Sequence, residues 1–156
     1  MPNYSQSTQK ALAGINLGMR VDKAAISVAG ISTKDLFTVA GGRCIILGLV
    51  GESTTGQAAG ANNANFVSTP TTGTAVDMSG AACDIAGAEI GAFLSLTGVL
   101  ATNAAMTNAG AAAMMTTPII VPEGVIGVAT DADTAGSWKF SIWYLPAEEG
   151  AYIEAA

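Results

Sequence analysis

Hydrophobic residues recur at every second position along much of this chain, the spacing of β-strands with one covered face. Ser137 to Leu145 is the clearest case. Trp138, Phe140, Ile142 and Tyr144 form one large apolar face, while Ser137, Lys139 and Ser141 point the other way. Near the start, Ala13, Ile15, Leu17, Met19 and Val21 alternate with Gly14, Asn16, Gly18, Arg20 and Asp22. Glycine weakens a free-standing strand. That stretch therefore reads as a strand or as an extended arm lying on a neighbour, with a short helix over residues 5–13 as a third reading. From Arg43 to Glu52 the alternation gives two apolar faces, Cys44, Ile46 and Val50 against Ile45, Leu47 and Leu49. This predicts a central strand covered on both sides, and Gly48 marks a bulge or a close backbone approach.

Further strands are predicted at Lys23–Val28, Asp35–Ala40, Asn65–Thr71, Thr74–Met78 and Ala92–Leu100. Pro70 assigns the Asn65–Thr71 strand to a sheet edge. Residues 53–64 read as a loop without periodicity, and residues 79–91 are rich in small residues and are assigned no element. Ala101–Met115 has helical propensity, but Thr, Asn and Gly interrupt it, so a long loop or a short helical turn is expected. Thr116–Val121, Val125–Thr130 and Ser137–Leu145 read as a three-stranded meander ending at Pro146. Its connections are the turn Pro122-Glu123-Gly124 and the loop Asp131–Gly136. Many short strands without a strong amphipathic helix predict an all-β fold, a β-sandwich or jelly-roll-like single domain. Residues 1–22 are assigned to an N-terminal arm and residues 23–156 to the sandwich.

Composition adds a role to this outline. Only 12% of residues are charged, against about 25% in a typical soluble domain. Ala, Gly, Thr, Ser and Asn supply a surface of small neutral side chains. These lose little rotamer entropy when covered and leave few hydrated charges to strip. Association with other protein surfaces is expected. The arm residues Tyr4, Leu12, Ile15, Leu17 and Met19, together with Trp143 and Tyr152, are the candidate contacts. Trp138 is expected in the core, and Trp143 in a second core or as an interface anchor.

Charge and missing residue types narrow the chemistry. The net charge is −6, and the six Lys and Arg residues are scattered, so neither nucleic acid nor an anionic membrane is an expected partner. No apolar segment reads as a signal peptide or a membrane span, which predicts synthesis and folding in a cytoplasm. The chain has no histidine, which removes Ser–His–Asp and Cys–His pairs and the commonest zinc sites. No phosphate-loop motif is present. Asp131 and Asp133 with Gly136 suggest a calcium loop only in part, since the distal acidic ligands are missing, and a solvated hairpin loop is the simpler reading. Glu148 and Glu149 read as an exposed pair. Cys44 reads as a small core residue and Cys83 as a loop residue; a disulfide between them stays open as an alternative that a reducing compartment disfavours. No catalytic, cofactor or metal residue is assigned, and no enzyme is expected.

Asp35-Leu36-Phe37-Thr38-Val39-Ala40-Gly41-Gly42-Arg43 runs into Cys44-Ile45-Ile46-Leu47-Gly48-Leu49-Val50-Gly51-Glu52. Asn62-Asn63-Ala64-Asn65-Phe66-Val67, Ser68-Thr69-Pro70-Thr71 and Gly136-Ser137-Trp138-Lys139-Phe140-Ser141-Ile142-Trp143-Tyr144-Leu145-Pro146 follow. In these segments, over about residues 35–150, the chain resembles small virion proteins of tailed bacteriophages. The resemblance implies a head decoration, or cement, protein on the capsid exterior, assembled in the host cytoplasm. Its implied partners are the major capsid protein and further copies of itself, as a homotrimer or other homo-oligomer. It brings no active-site residues with it. The alternative is a tail- or fibre-associated protein that binds a host, for which Trp143, Tyr144 and Tyr152 are the aromatic candidates.

Overall fold

The computed structural model describes residues 17–81, 83–108 and 110–156. They form two antiparallel sheets. The first contains β1 (Met19–Ser27), β3 (Cys44–Thr55), β7 (Phe93–Ser95), β8 (Ala105–Thr107), β9 (Ile119–Val121) and β11 (Ser137–Pro146). The second contains β2 (Ser32–Ala40), β4 (Asn63–Pro70), β5 (Val76–Asp77), β6 (Cys83–Asp84), β10 (Gly124–Thr130) and β12 (Tyr152–Ala155). The first sheet is ordered β1-β11-β3-β7-β8, with β9 also on β3. The second is ordered β12-β2-β10-β4-β5, with β6 also on β4. The all-β expectation holds, and the two sheets are compatible with a β-sandwich.

The core lies between the sheets. Trp138, Phe140, Ile142 and Tyr144 point inward from β11, as their alternation predicts. Phe140 meets Phe66 of the opposite sheet edge-on, with ring centroids 6.3 Å apart and planes at 86°. Bulges decide which other residues join them. On β3, Trp143 pairs with Gly48 and Tyr144 with Ile46, leaving Leu47 as an extra residue. That shift turns Leu49 inward and leaves Val50 half-buried on the outer face, correcting the face expected for both. On β2 the pairing skips Leu36, and both Leu36 and Phe37 are fully buried.

Several expected elements change. The meander does not form: β9 and β11 lie in the first sheet and β10 in the second. The turn at residues 122–123 and the loop at residues 131–136 therefore cross between layers. Crossing lets Ile126 and Val128 fill the core opposite β11 instead of lying beside it. β4 is not an edge strand, because β10 pairs it along one side while β5 and β6 cap the other. Pro70 is tolerated as its last residue. The boundary expected after residue 22 falls inside β1, whose residues Met19 to Asp22 pair with Tyr144 to Ser141. Ser53–Thr55, expected in a loop, extend β3, whereas only Phe93–Ser95 of the Ala92–Leu100 segment are strand. β8 lies where a loop or helical turn was expected, and β6 and β12 were not anticipated. Cys44 and Cys83 are buried, free thiols. Burial, with Asp84 adding to it, pushes the Cys83 thiol up to about 11.

Candidate binding groove

The outer face of the first sheet carries a concave feature. Strand register places its residues. Arg20 lies opposite Trp143 and Asp22 opposite Ser141. Lys139 lies opposite Glu52, and Glu52 opposite Phe93. Long side chains thus stand at two ends, Arg20 with Trp143 and Lys139 with Glu52 and Phe93, of a row whose middle holds the shorter Asp22, Ser141 and Val50. A bulge between Lys23 and Ile26 leaves Ala24 and Ala25 along one wall, where larger residues would fill the space. The result is a groove of about 600 Å³.

Its polar groups are ordered by one another. Arg20 Nε donates to Asp22 Oδ1 at 2.8 Å, and its Nη2 donates to Ser141 Oγ at 3.3 Å. Ser141 Oγ donates in turn to Asp22 Oδ1 at 2.5 Å. The guanidinium lies over the Trp143 ring, 5.3 Å from its centroid. The Ser141 hydroxyl, with Arg20 beside it, holds the Asp22 carboxyl below its ordinary value, so it stays ionised. Lys139 Nζ and Glu52 form a second pair at 2.9 Å. Lys23 Nζ donates to the carbonyl of Ala156, tying β1 to the end of β12 across the open side of the sandwich.

The predicted contact residues are only partly gathered here. Trp143 is half-buried in the groove wall, anchoring Arg20 rather than a second core. Leu17, two residues before β1, and Met19, the first residue of β1, are exposed, and Tyr152 is exposed on β12 in the opposite sheet. Tyr144, an aromatic candidate for host binding, is buried. Tyr4, Leu12 and Ile15 lie outside the described residues. Sequence reading missed Arg20, Asp22, Glu52 and Phe93, which only the pairing register assembles.

Three other surface features flank the sandwich. Between the β5 and β9 edges lies a cleft of about 280 Å³, lined by Val76, Met78, Leu100, Ile119 and Ile120 among others and by no charged residue. At one end, the Arg43 backbone N–H and Nε donate to Glu148 at 3.0 and 2.5 Å. At the other, Asp131 accepts from the Asn63 backbone N–H at 2.7 Å and its side-chain amide at 2.8 Å. Asp131 thus latches a crossover between sheets, not the hairpin expected. Among the described residues, no three His, Cys, Asp or Glu residues gather to hold a metal ion, and no helix is long and apolar enough to cross a membrane.

These latches predict acid sensitivity. The hydrogen bonds from Asn63 and from Arg43 hold Asp131 and Glu148 below their ordinary values, as Ser141 does Asp22. A carboxylate depressed on folding stabilises the fold fully above its unfolded value and loses that contribution as pH falls through its folded one. The urea midpoint is expected to be flat from neutrality to about pH 5 and to fall below about pH 4. Asp131→Asn should flatten part of that acid limb, and an unchanged limb would show that the Asn63 latch contributes nothing.

Compared with protein families, curated proteins and solved structures, the chain matches none.

Proposed function

We propose that this chain is a structural protein of a virus particle, a decoration protein seated on the outside of a tailed-phage head. The observation that carries the reading is the charge-free cleft at the β5 and β9 edges. There Val76, Leu100 and Ile120 are 52%, 54% and 63% exposed. Large apolar side chains around an open sheet edge are suited to cover by another protein. The sparse charge and the resemblance in residues 35–150 support the same reading. The occupants it implies are the major capsid protein and further copies of this chain, as a homotrimer or other homo-oligomer.

Ile120→Asp tests it. At so exposed a position the substitution should change stability by no more than about 0.5 kcal/mol, yet place an unpaired charge at the covered edge. The unaltered chain is expected to sediment as an oligomer or to bind capsid shells, and the variant to lose that association. Association unchanged by the variant would remove the cleft from the interface. The groove on the first sheet favours a second reading, a tail- or fibre-associated host-binding protein. Gold labelling of intact particles separates them, since label on the tail would overturn the head reading.

A further inference from the structure

We infer that β1 is a self-pairing edge, which joins this chain to a second copy of itself about a two-fold axis at Val21. The inference goes beyond the proposed role, because head and tail placements use such a dimer alike. Among the described residues β1 pairs on one side only, with β11, and so ends the first sheet. It is nine residues long, whereas β8, β12 and β5, at the other ends of the two sheets, have three, four and two. Short end strands keep a sheet from pairing with another chain, and β1 lacks that protection. An inward-pointing charge is another such device. Lys23 does face inward, opposite the buried Phe140, but its ammonium is held by the Ala156 carbonyl of its own fold.

The order of charges along this edge selects the partner. The regular stretch of β1 runs from Met19 to Lys23. Gly18 precedes it with φ +78°, and the bulge at Ala24 and Ala25 follows it. Val21 is its midpoint. A two-fold axis normal to the sheet sets two copies antiparallel, with outer face beside outer face, and each contact occurs reciprocally. Centred on Val21, the axis places Arg20 opposite Asp22 of the second copy. Centred one residue either way, it places Arg20 opposite Arg20 or Asp22 opposite Asp22. Opposite charges facing across a ladder stabilise it, and like charges destabilise it. Arg20 and Asp22 already pair within their own strand at 2.8 Å, so the contacts between copies set the register more than the strength. Strength comes from the backbone ladder and from cover over Met19, 43% exposed, which then lies against the Lys23 stem of the second copy. β12, an end strand of the second sheet, is tied to β1 by the Lys23 bond, so a copy set against β1 meets both layers.

Sedimentation equilibrium of the full chain between about 5 and 500 μM tests the inference, with a monomer–dimer equilibrium expected. Arg20→Asp and Asp22→Arg each set like charges opposite one another across the axis. Each should weaken dimerisation about tenfold or more. Mixed in equal amounts, the two variants face each other with opposite charges again, and a heterodimer should form as tightly as the unaltered dimer. The NMR signal of the Trp138 indole, buried in the core, checks that each variant is folded. A second readout reverses no charge. Arg20→Cys mixed with Asp22→Cys should cross-link between the two kinds of copy under mild oxidation, faster than either variant alone. Ile120→Asp, on β9 beyond β3, should leave this dimer intact, which separates its fate from that of the proposed role. A chain monomeric at every concentration would overturn the inference. So would charge variants that dimerise like the unaltered chain, a mixture of folded variants that stays monomeric, or cysteine variants that cross-link no faster when mixed.

Discussion

Phe140→Ala is expected to remove about 3–5 kcal/mol of stability, a large share of the 5–15 kcal/mol typical of a folded domain. Phe140 is 1% exposed and lies edge-on to Phe66 of the opposite sheet. Its ring also occupies the space left by a missing side chain, because a Cβ on Gly51 would sit 2.7 Å from Phe140 Cε1. Truncation removes contacts on both layers, and strands fixed by their own ladders cannot collapse fully into the hole. Urea unfolding followed by the fluorescence of Trp138 and Trp143 measures the loss. Lys139→Met, the neighbour on the outer face, is the control, and its exposed ion pair should cost no more than about 1 kcal/mol. A loss below about 1 kcal/mol for Phe140→Ala would mean that the two sheets do not share one close-packed core.

The second large effect is expected at Gly124. It opens β10 with φ +148°, and an added Cβ would lie 2.2 Å from Thr69 O and 2.6 Å from Pro70 Cα. Both atoms are backbone of β4, so no side-chain rotation relieves the clash. Gly150 has φ +84° with nothing within 4 Å of an added Cβ. Gly150→Ala therefore reports the dihedral cost alone, about 1–2 kcal/mol. Gly124→Ala should exceed it clearly, because β10 must move away from β4. Equal urea midpoints for the two variants would show that the spacing between these strands is not tightly set.

What the sequence revealed tracks how local each feature is. The inward face of β11 follows from Trp138, Phe140, Ile142 and Tyr144 alone, and β3 was legible as a central strand from its two apolar faces. Bulges were not. The extra Leu47 rotates every later residue of β3, and alternation cannot register one unpaired position. The meander failed for a related reason. A short turn between two strands looks alike whether they pair in one sheet or face each other across a core. β12 was missed because Tyr152–Ala155 is too short to show a period, and pairing with β2 stabilises it. The groove was the least legible of all. Arg20 and Trp143 are neighbours through register, and Lys139 was seen only as a polar position between core residues.

β11 joins β1 to the rest of the first sheet, pairing with β1 on one side and β3 on the other. Arg20 therefore waits for Trp143, and Asp22 for Ser141. At roughly 5–20 residues per second of synthesis, that wait is on the order of ten seconds on the ribosome. Throughout it, β1 and the apolar β3 are present without the strand that joins them. Folding of this sheet is thus a late event, governed by distant pairings that close slowly. A nascent chain stopped before residue 137 holds both flanking strands and nothing to bridge them, making it a substrate for chaperones or for aggregation rather than a partial domain.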